Sequence, residues 1–310
     1  MSRWGLFIGL VTLDTVYLVD RPPDANQKIV AKDHMVSVGG PATNAAVAFS
    51  YLGNYPTLAT AIGSHPISNL IKEDLKLYDV AIADLAPTLT TPPSISSVNV
   101  IDGTGERSLV SINAVKQQVS AQDMPTYVLT DILPEMEIVL IDGHQMAVSL
   151  EVAKSAQTRR IPVVIDGGSW KVGFEQVLPF ADYVICSANF YPPNCQSSLE
   201  AIGYLRDLGI PHIAITNGAE PIQYFSRSQD GEIQGEIPIA AIDAKDTLGA
   251  GDIMHGAFCH YILNELPELQ AGESPFAKAL TKAAAVASYS CKYFGARRWM
   301  QERGGFDLNS

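Results

Sequence analysis

The chain has 310 residues and a net charge of −12, and its composition is 47% hydrophobic and 17% charged. Such a chain can bury a substantial core, which excludes an intrinsically disordered protein, and its acidity argues against nucleic acid or an anionic membrane as a partner. The four cysteines show no C-x-x-C spacing, and neither a signal-peptide pattern nor a bilayer-spanning apolar run is present. We therefore expect a cytoplasmic protein.

A buried strand and a small sheet are predicted in the first part of the chain. The first strand covers residues 5–11, and Asp14 lies just past its carboxyl end, where ligands bind in open α/β sheets. Asp14 is therefore a candidate site residue, with a turn-capping aspartate as the alternative. Further extended segments, with a glycine-containing turn between the last two, predict a small second sheet from residues 16–19, 29–38, 95–101 and 108–112.

Strands and helices alternate along most of the chain. The other predicted strands are 57–62, 138–141, 163–165, 183–186, 213–216, 224–225, 233–237 and 239–242. The predicted helices are 44–53, 69–78, one that ends near residue 160, 172–178, 199–208 and 275–294. Strands that alternate with helices of this length predict a mainly parallel sheet covered on both faces.

Residues 246–252 read D-T-L-G-A-G-D and precede an amphipathic helix. Gly249, Ala250 and Gly251 leave room for a ligand beside unpaired N–H groups and the positive end of the helix dipole, which suits an anion. Asp252 adds a carboxylate there, and its place at a helix N-terminus predicts a readily ionised, weakly basic group. An anion site beside a base suits phosphoryl transfer to a hydroxyl. The alternative is a glycine-rich turn with Asp252 as a dipole partner.

These seven residues resemble the D-T-x-G-A-G-D signature of the ribokinase/PfkB family of carbohydrate kinases. In that family the final Asp is the catalytic base and the G-A-G amides form the anion hole. Residues 39–48, G-G-P-A-T-N-A-A-V-A, resemble the family's G-G-x-x-x-N-x-A segment. The resemblance implies that Gly39, Gly40 and Asn44 contact the acceptor, and that Asp14 matches the aspartate that holds sugar hydroxyls.

The resemblance covers essentially the whole chain and implies a ribokinase-like three-layer α/β/α sandwich with a mainly parallel central sheet and a small β lid. The chain would be one kinase domain, residues 1–310, with the lid built from segments near 12–38 and 95–112. The implied activity is ATP-dependent phosphorylation of a hydroxyl on a sugar or sugar-like small molecule, with Mg²⁺ to neutralise phosphate charge. Relatives often use a monovalent cation such as K⁺ near residue 246, and the sequence leaves its use here open.

The expected nucleotide site departs from the family's pattern. Thr216 and Gly218 resemble the ends of the T-x-G segment that holds the nucleotide phosphates. Asn189 matches the start of the N-x-x-E element tied to magnesium and phosphate, but Pro192 stands where the family has glutamate. No metal ligand is therefore assigned. His144 occupies the place of a polar sugar contact in relatives, with an ordinary strand-to-helix turn as the alternative.

Two other functions stay open at this stage. A nucleoside kinase shares the fold and the motifs and differs only in the acceptor pocket. A catalytically weak member that binds a metabolite as a sensor is favoured by Pro192, whereas the intact 246–252 stretch favours an enzyme. A homodimer formed through the lid is compatible with the resemblance.

Overall fold

Two β-sheets organise the part of the chain that the computed structural model describes, which is residues 2–112, 115, 117–228, 231–265 and 274–301. The strands there are β1 (Trp4–Ile8), β2 (Thr12–Val19), β3 (Asp33–Gly39), β4 (Tyr55–Thr60), β5 (Ala81–Asp84), β6 (Ser94–Ile101), β7 (Arg107–Ser111), β8 (Ile138–Ile141), β9 (Val163–Gly167), β10 (Tyr183–Ser187), β11 (His212–Asn217), β12 (Glu220–Ser228) and β13 (Gly231–Ile237). The larger sheet has the order β13-β12-β11-β10-β9-β8-β1-β4-β5. Its pairs from β11 to β5 are parallel, and β12 and β13 extend it as antiparallel strands.

Helices cover both faces of the larger sheet. They are α1 (Pro41–Tyr51), α2 (Pro66–Leu77), α3 (Met146–Arg159), α4 (Phe174–Val177), α5 (Ser198–Asp207), α6 (Ala250–Glu265) and α7 (Pro275–Ser290). Successive side chains of a strand point to opposite faces, so that Phe7 packs with α1, α2, α6 and α7, whereas Leu6 and Ile8 pack with α3, α4 and α5. In the described residues, no helix is long and apolar enough to cross a membrane.

The close contact between α1 and α6 positions the start of both helices. Pro41 occupies the first turn of α1 after Gly40, whose φ of 104° favours glycine. Farther along, a Cβ on Gly256 would lie only 2.1 Å from the backbone oxygen of Ala45, so glycine permits the two helices to approach. Because residues four apart share a helix face, this contact also carries Asp252 to the beginning of α1.

The smaller sheet has the order β3-β2-β6-β7, in which β2 and β6 are parallel and the other pairs are antiparallel. Side chains in register lie on the same face of a sheet, as do residues two apart in one strand. One face therefore carries a polar row and an apolar row. The polar row is Ser37, Asp14, Ser96 and Ser111, and the apolar row is Met35, Val16, Val98 and Leu109.

The three-layer architecture with a mainly parallel sheet is confirmed, but the predicted position of Asp14 relative to the strands is wrong. β1 ends at Ile8, so Asp14 lies inside β2 rather than just past the carboxyl end of the first strand. Residues 239–242, predicted as a strand, are not one. Pro238 follows β13 and has no N–H with which to continue the ladder.

Three other predicted boundaries also differ. The segment expected over 29–38 becomes a strand only at Asp33, and the helix expected over 172–178 is limited to α4 and a following 3₁₀ turn. α7 ends at Ser290 rather than at residue 294. The next carbonyl, that of Cys291, accepts the N–H groups of Lys245 and Asp246, so the end of α7 is tied to the 246–252 loop.

Candidate active site

A cavity of about 200 Å³ lies between the smaller sheet and the N-terminal turns of α1 and α6. The polar and apolar rows line one side of it. The predicted site residues that line it are Asp14, Gly39, Gly40, Asn44, His144, Gly249 and Asp252. The structure thus brings every predicted acceptor residue and the predicted base to one cavity.

Asp14 lies against the backbone of the neighbouring strand. A Cβ on Gly39 would be 1.9 Å from Oδ2 of Asp14, so glycine is required for the carboxylate to occupy this place. Oδ1 of Asp14 is buried without a hydrogen-bond partner among the described residues. Burial raises the pKa of Asp14 to about 6, against the opposing hydrogen bonds of Ser96 and Thr12 and the charge of Arg297. A hydroxyl brought to Oδ1 would therefore satisfy a polar atom that the protein leaves unpaired.

Asn44 and Asp252 are directly bonded. Nδ2 of Asn44 donates a 2.8 Å hydrogen bond to Oδ2 of Asp252. Burial and the negative charge of Asp166 raise the pKa of Asp252 above the usual carboxyl range, against the Asn44 hydrogen bond and the charge of His255. The expectation of a weakly basic carboxylate is therefore wrong, because desolvation and Asp166 outweigh the helix dipole. A raised pKa would suit Asp252 to accept a proton near neutral pH.

Asp142 follows β8, and its carboxylate binds backbone N–H groups of three segments beside the cavity. Its Oδ2 accepts the N–H groups of Leu10 at 2.9 Å and of Ala42 at 3.1 Å, and its Oδ1 accepts that of His144 at 2.8 Å. Nδ1 of His144 also lies 3.1 Å from Oδ1. Burial raises the pKa of Asp142, but His144 and Lys171 lower it more strongly, to about 2. This ionised carboxylate fixes the chain before α1 and lies beside the His144 ring, whose Nδ1 has no hydrogen-bond partner among the described residues.

Asp246 holds the loop that leads into α6. Its Oδ1 accepts the N–H of Leu248 at 2.9 Å, and its Oδ2 accepts that of Gly295 at 2.8 Å. Because Asp246 is 3% exposed, both bonds form away from water and fix the loop firmly. The loop conformation before α6 therefore depends on the segment that follows α7.

The glycines of this loop differ in what surrounds them. Gly249 has a φ of 74°, and a Cβ there would lie 3.2 Å from Cβ of Ala296. Ala250 begins α6, and its N–H donates to the carbonyl of Thr247 at 3.3 Å, whereas the first amides of a helix have no partner within the helix itself. At Gly251 no atom outside the neighbouring residues and the backbone of the helix itself lies within 4 Å of the place that a Cβ would take. The first turn of α6 thus faces open space, as an anion-binding helix start requires.

The three predicted nucleotide residues do not line the acceptor cavity. Thr216 pairs with Ser187 at the carboxyl ends of β11 and β10, and its Oγ1 donates to the carbonyl of Cys186 at 3.3 Å. Asn189 lies two residues beyond β10, and Gly218, with a φ of 57°, lies just beyond β11. All three are therefore at adjacent strand ends, on the same edge of the larger sheet.

His255 connects α6 to this edge of the sheet. Its Nδ1 lies 2.7 Å from the carbonyl oxygen of Gly251, and its Nε2 lies 3.1 Å from that of Ile185 in β10. The same Nδ1 is 3.6 Å from Oδ2 of Asp166. His255 therefore fixes the first turns of α6 between the acceptor cavity and the strand ends that carry the nucleotide candidates. No group of three or more His, Cys, Asp or Glu side chains suited to a metal occurs in the described residues.

Sequence reasoning missed several residues of the site. Ser96 carried no usable signal, because Ser94 and Ser96 are buried in β6 while Ile95 between them is exposed, the reverse of an apolar-inside pattern. Ser37 and Ser111 join it only through strand pairing. Arg297, which donates to Asn44, had no signal, because a single arginine in an irregular segment follows no pattern.

Comparisons with known proteins agree with the geometry. The sequence pattern of the pfkB family carbohydrate kinases matches residues 6–303. The ribokinase of Lactococcus lactis subsp. lactis (strain IL1403) is 25% identical over 268 residues, which are 84% of this chain and 83% of that protein.

Solved structures share the fold. The Arabidopsis thaliana ribokinase complexed with ribose and ATP has a TM-score of 0.75 at 21% identity, over 95% of this chain and 94% of that one. An E. coli protein described as a candidate ribokinase II, in complex with ATP and Mg²⁺, has a TM-score of 0.73 at 16% identity, over 96% and 95% of the two chains. At these identities the structural likeness shows the fold, and the family match over nearly the whole chain shows the family. The chain belongs to the pfkB family of carbohydrate kinases, which are ATP-dependent enzymes that phosphorylate sugars or nucleosides.

Proposed function

We propose that this enzyme transfers the γ-phosphoryl group of ATP to a hydroxyl of a small neutral sugar, with Asp252 as the general base. The observation that carries the proposal is the meeting of Asp252, Asn44 and the polar row at one small cavity. A base and a set of hydroxyl-binding groups then face the same bound molecule. The arrangement suits deprotonation of one hydroxyl while Asp14 and the serines hold others.

The starts of α1 and α6 would have different roles in the reaction. Nδ2 of Asn44 donates a hydrogen bond to Oδ2 of Asp252. Oδ1 of Asp252 would therefore be the atom that takes the proton of the acceptor hydroxyl. The amides of Gly249, Ala250 and Gly251 would stabilise charge on the transferring phosphoryl group, in the open space beside Gly251. The smaller sheet would act as a lid that excludes water and strengthens these contacts.

The chemistry of the lining favours a neutral monosaccharide. Two carboxylates, Asp14 and Asp252, face the cavity, and none of the described residues that line it is lysine or arginine. An acidic acceptor would therefore meet repulsion, whereas sugar hydroxyls would donate to both carboxylates. The apolar row offers a surface for the C–H face of a sugar ring. The cavity volume of about 200 Å³ lies below the roughly 300–1,000 Å³ of pockets for larger ligands, which favours a monosaccharide over a nucleoside.

We also propose that ATP binds along the sheet edge at Asn189, Thr216 and Gly218, with Mg²⁺ beside its phosphates. Bound Mg²⁺ would neutralise part of the negative charge on the ATP phosphates. Pro192 has no group with which to hold a hydrated cation. The carboxylate of Asp166 fits better, because its Oδ2 is buried without a hydrogen-bond partner in the described residues and Mg²⁺ prefers oxygen ligands.

The test is a phosphoryl-transfer screen of the full chain with ATP and Mg²⁺. The acceptors are ribose, 2-deoxyribose, fructose, gluconate, a sugar phosphate and adenosine. We expect turnover with one or more neutral sugars and at least about tenfold lower kcat/KM with the acids. A preference for gluconate would contradict the charge argument, and a preference for adenosine would indicate a nucleoside kinase. Metabolite binding without turnover for any acceptor would indicate a sensor.

Residues 1–310 would form one kinase domain. Two copies of the chain would associate through the outer face of the smaller sheet, which is the face that points away from the cavity. Val36 and Val110 on that face are 55% and 76% exposed, which supports an interface there. The free cysteines support a cytoplasmic location. Light scattering of the purified chain tests whether it forms a dimer. The use of a monovalent cation is tested by comparing the activity in KCl with the activity in choline chloride.

A further inference from the structure

Arg297 lies directly behind Asn44 and is 3% exposed. Its Nη2 donates to the carbonyl oxygen of Val38 and, at 3.3 Å, to Oδ1 of Asn44. Its Cζ lies 4.8 Å from the centre of the Tyr78 ring, which packs against the guanidinium. Nε and Nη1 are buried and have no hydrogen-bond partner among the described residues. The charge of Asp74 offsets part of the cost of burying this guanidinium, but two of its nitrogens stay unpaired, which indicates a role beyond packing.

The hydrogen-bonding capacity of arginine determines which way the Asn44 amide faces. A guanidinium has donors and no acceptor, whereas an amide has one donor end and one acceptor end. With Oδ1 towards Arg297, Nδ2 must face Asp252, which accepts when it is ionised. The reverse orientation would place N–H groups against N–H groups and an oxygen against a carboxylate. Arg297 and ionised Asp252 therefore select the same orientation of Asn44.

We propose that Arg297 is a positioning residue for phosphoryl transfer, which fixes the Asn44 amide so that Nδ2 stays on Oδ2 of Asp252. Oδ1 of Asp252 is then reserved for the acceptor hydroxyl. The guanidinium touches neither substrate and acts on Asp252 through Asn44, while its charge also acts on Asp14. This inference rests on the proposed function, because it takes Asp252 as the base.

The structure supports a specific role for Arg297 rather than for any cation at this place. One nitrogen, Nη2, serves both Val38 and Asn44, and the planar group lies over Tyr78. A lysine ammonium has donors enough for both oxygens but no planar face to lie over Tyr78, so it would not reproduce the whole arrangement. The adjacent Arg298 is exposed and provides a matched control for loss of an arginine.

A double-mutant cycle on kcat/KM tests the proposal with the best neutral sugar of the acceptor screen. Arg297→Met should lower kcat/KM by about tenfold or more, as expected for loss of a charge-assisted hydrogen bond. In the Asn44→Ala background the same change should cause a clearly smaller loss, because only the effect of the Arg297 charge on Asp14 remains. Arg298→Met should leave kcat/KM unchanged. Equal losses in both Asn44 backgrounds, or no loss with Asn44 present, would overturn the proposal.

Folding is checked by thermal unfolding and by ATP affinity, which Arg297→Met should leave near the wild-type values. If that variant does not fold, the cycle is repeated with Arg297→Lys, which keeps the charge. We expect a smaller loss for the lysine, present only when Asn44 is present.

A measurement without acceptor separates this inference from the proposed function. The side-chain amide signals of Asn44 are followed by ¹⁵N NMR of the apo protein and assigned from Asn44→Asp. Arg297→Met should move or broaden them, and Arg298→Met should not. Unchanged signals in Arg297→Met would refute the positioning role even if the enzyme is an active sugar kinase. A wild type without turnover would refute the proposed function and leave the NMR result to decide the role of Arg297.

Discussion

Nδ2 of Asn44 donates to Oδ2 of Asp252 at 2.8 Å, although the two residues are 208 positions apart in the chain. The bond joins the first turns of α1 and α6, which the close approach of Gly256 to Ala45 brings together. Each helix start contributes a different part of the site. In the proposed function, α1 would contribute acceptor recognition, and α6 would contribute the base and the anion-binding amides.

Asp252→Asn keeps the shape of the side chain and removes its ability to accept a proton. We expect kcat to fall by at least about a hundredfold, within the usual range for loss of a general base. ATP affinity and the unfolding temperature should stay near the wild-type values. Asp243→Asn, at an exposed aspartate, is the control and should keep full kcat. Full activity in Asp252→Asn would show that another group is the base.

Gly251→Ala tests the anion-binding start of α6 separately from folding. The new methyl group would meet no protein atom within 4 Å outside the neighbouring residues and the backbone of the helix itself, so the variant should fold normally. It would occupy the space proposed for the transferring phosphoryl group, and we expect kcat/KM for ATP to fall by at least about tenfold. Gly203→Ala in α5 also meets open space and should keep full activity. Normal turnover in Gly251→Ala would place the phosphates elsewhere.

The acid limb of the pH profile should respond to Asp166. The base must be ionised to act, so kcat/KM should fall as the pH falls through the raised pKa of Asp252. Asp166→Asn removes a negative charge that raises this pKa, so the midpoint should move to lower pH by on the order of one pH unit. His255, Asn44 and Asp142 also act on Asp252 and stay unchanged. The measurement is kcat/KM for MgATP from pH 5 to 9, which reports the free enzyme before Mg²⁺ reaches Asp166, and a midpoint that moves upwards would contradict the assignment.

Asp14→Asn should weaken acceptor binding and stabilise the fold. KM for the acceptor should rise by about tenfold or more, because a charge-assisted hydrogen bond is lost. Burial raises the pKa of Asp14 to about 6, so its ionisation costs stability as the pH rises through that value.

The asparagine variant should therefore be more stable than the wild type at pH 8, by on the order of 1–3 kcal/mol. The difference should disappear below a pH of about 4, where Asp14 is protonated in both states. Thermal unfolding at several pH values measures it, with the exposed Asp131→Asn as control. A less stable variant at pH 8 would show that the ionised carboxylate is well satisfied.

Activity should depend on a divalent metal even though Pro192 replaces the usual glutamate. Because ATP phosphates need charge neutralisation during transfer, excess chelator should abolish turnover and added Mg²⁺ should restore it. Asp166→Asn should raise the Mg²⁺ concentration for half-maximal activity. Full turnover in chelator would contradict the kinase mechanism.

The sequence determined the parts of the site whose function depends on local geometry. Gly249, Gly251 and Asp252 could be proposed from local geometry, because turns and helix starts depend on neighbouring residues. Gly39, Gly40 and Asn44 became candidates through the resemblance of residues 39–48 to the family's segment. The alternation of strands and helices determined the sandwich, since hydrophobic periodicity decides which faces are buried.

The tertiary structure alone decided the polar row and the properties of the base. Ser37, Asp14, Ser96 and Ser111 form one row only through the register of four strands, and register depends on pairing between distant segments. The pKa of Asp252 was predicted in the wrong direction, because burial and the charge of Asp166 exceed the local effect of the helix start. Arg297 has its place behind Asn44 only because α2, β3 and the segment after α7 meet there, which no local pattern in the sequence encodes.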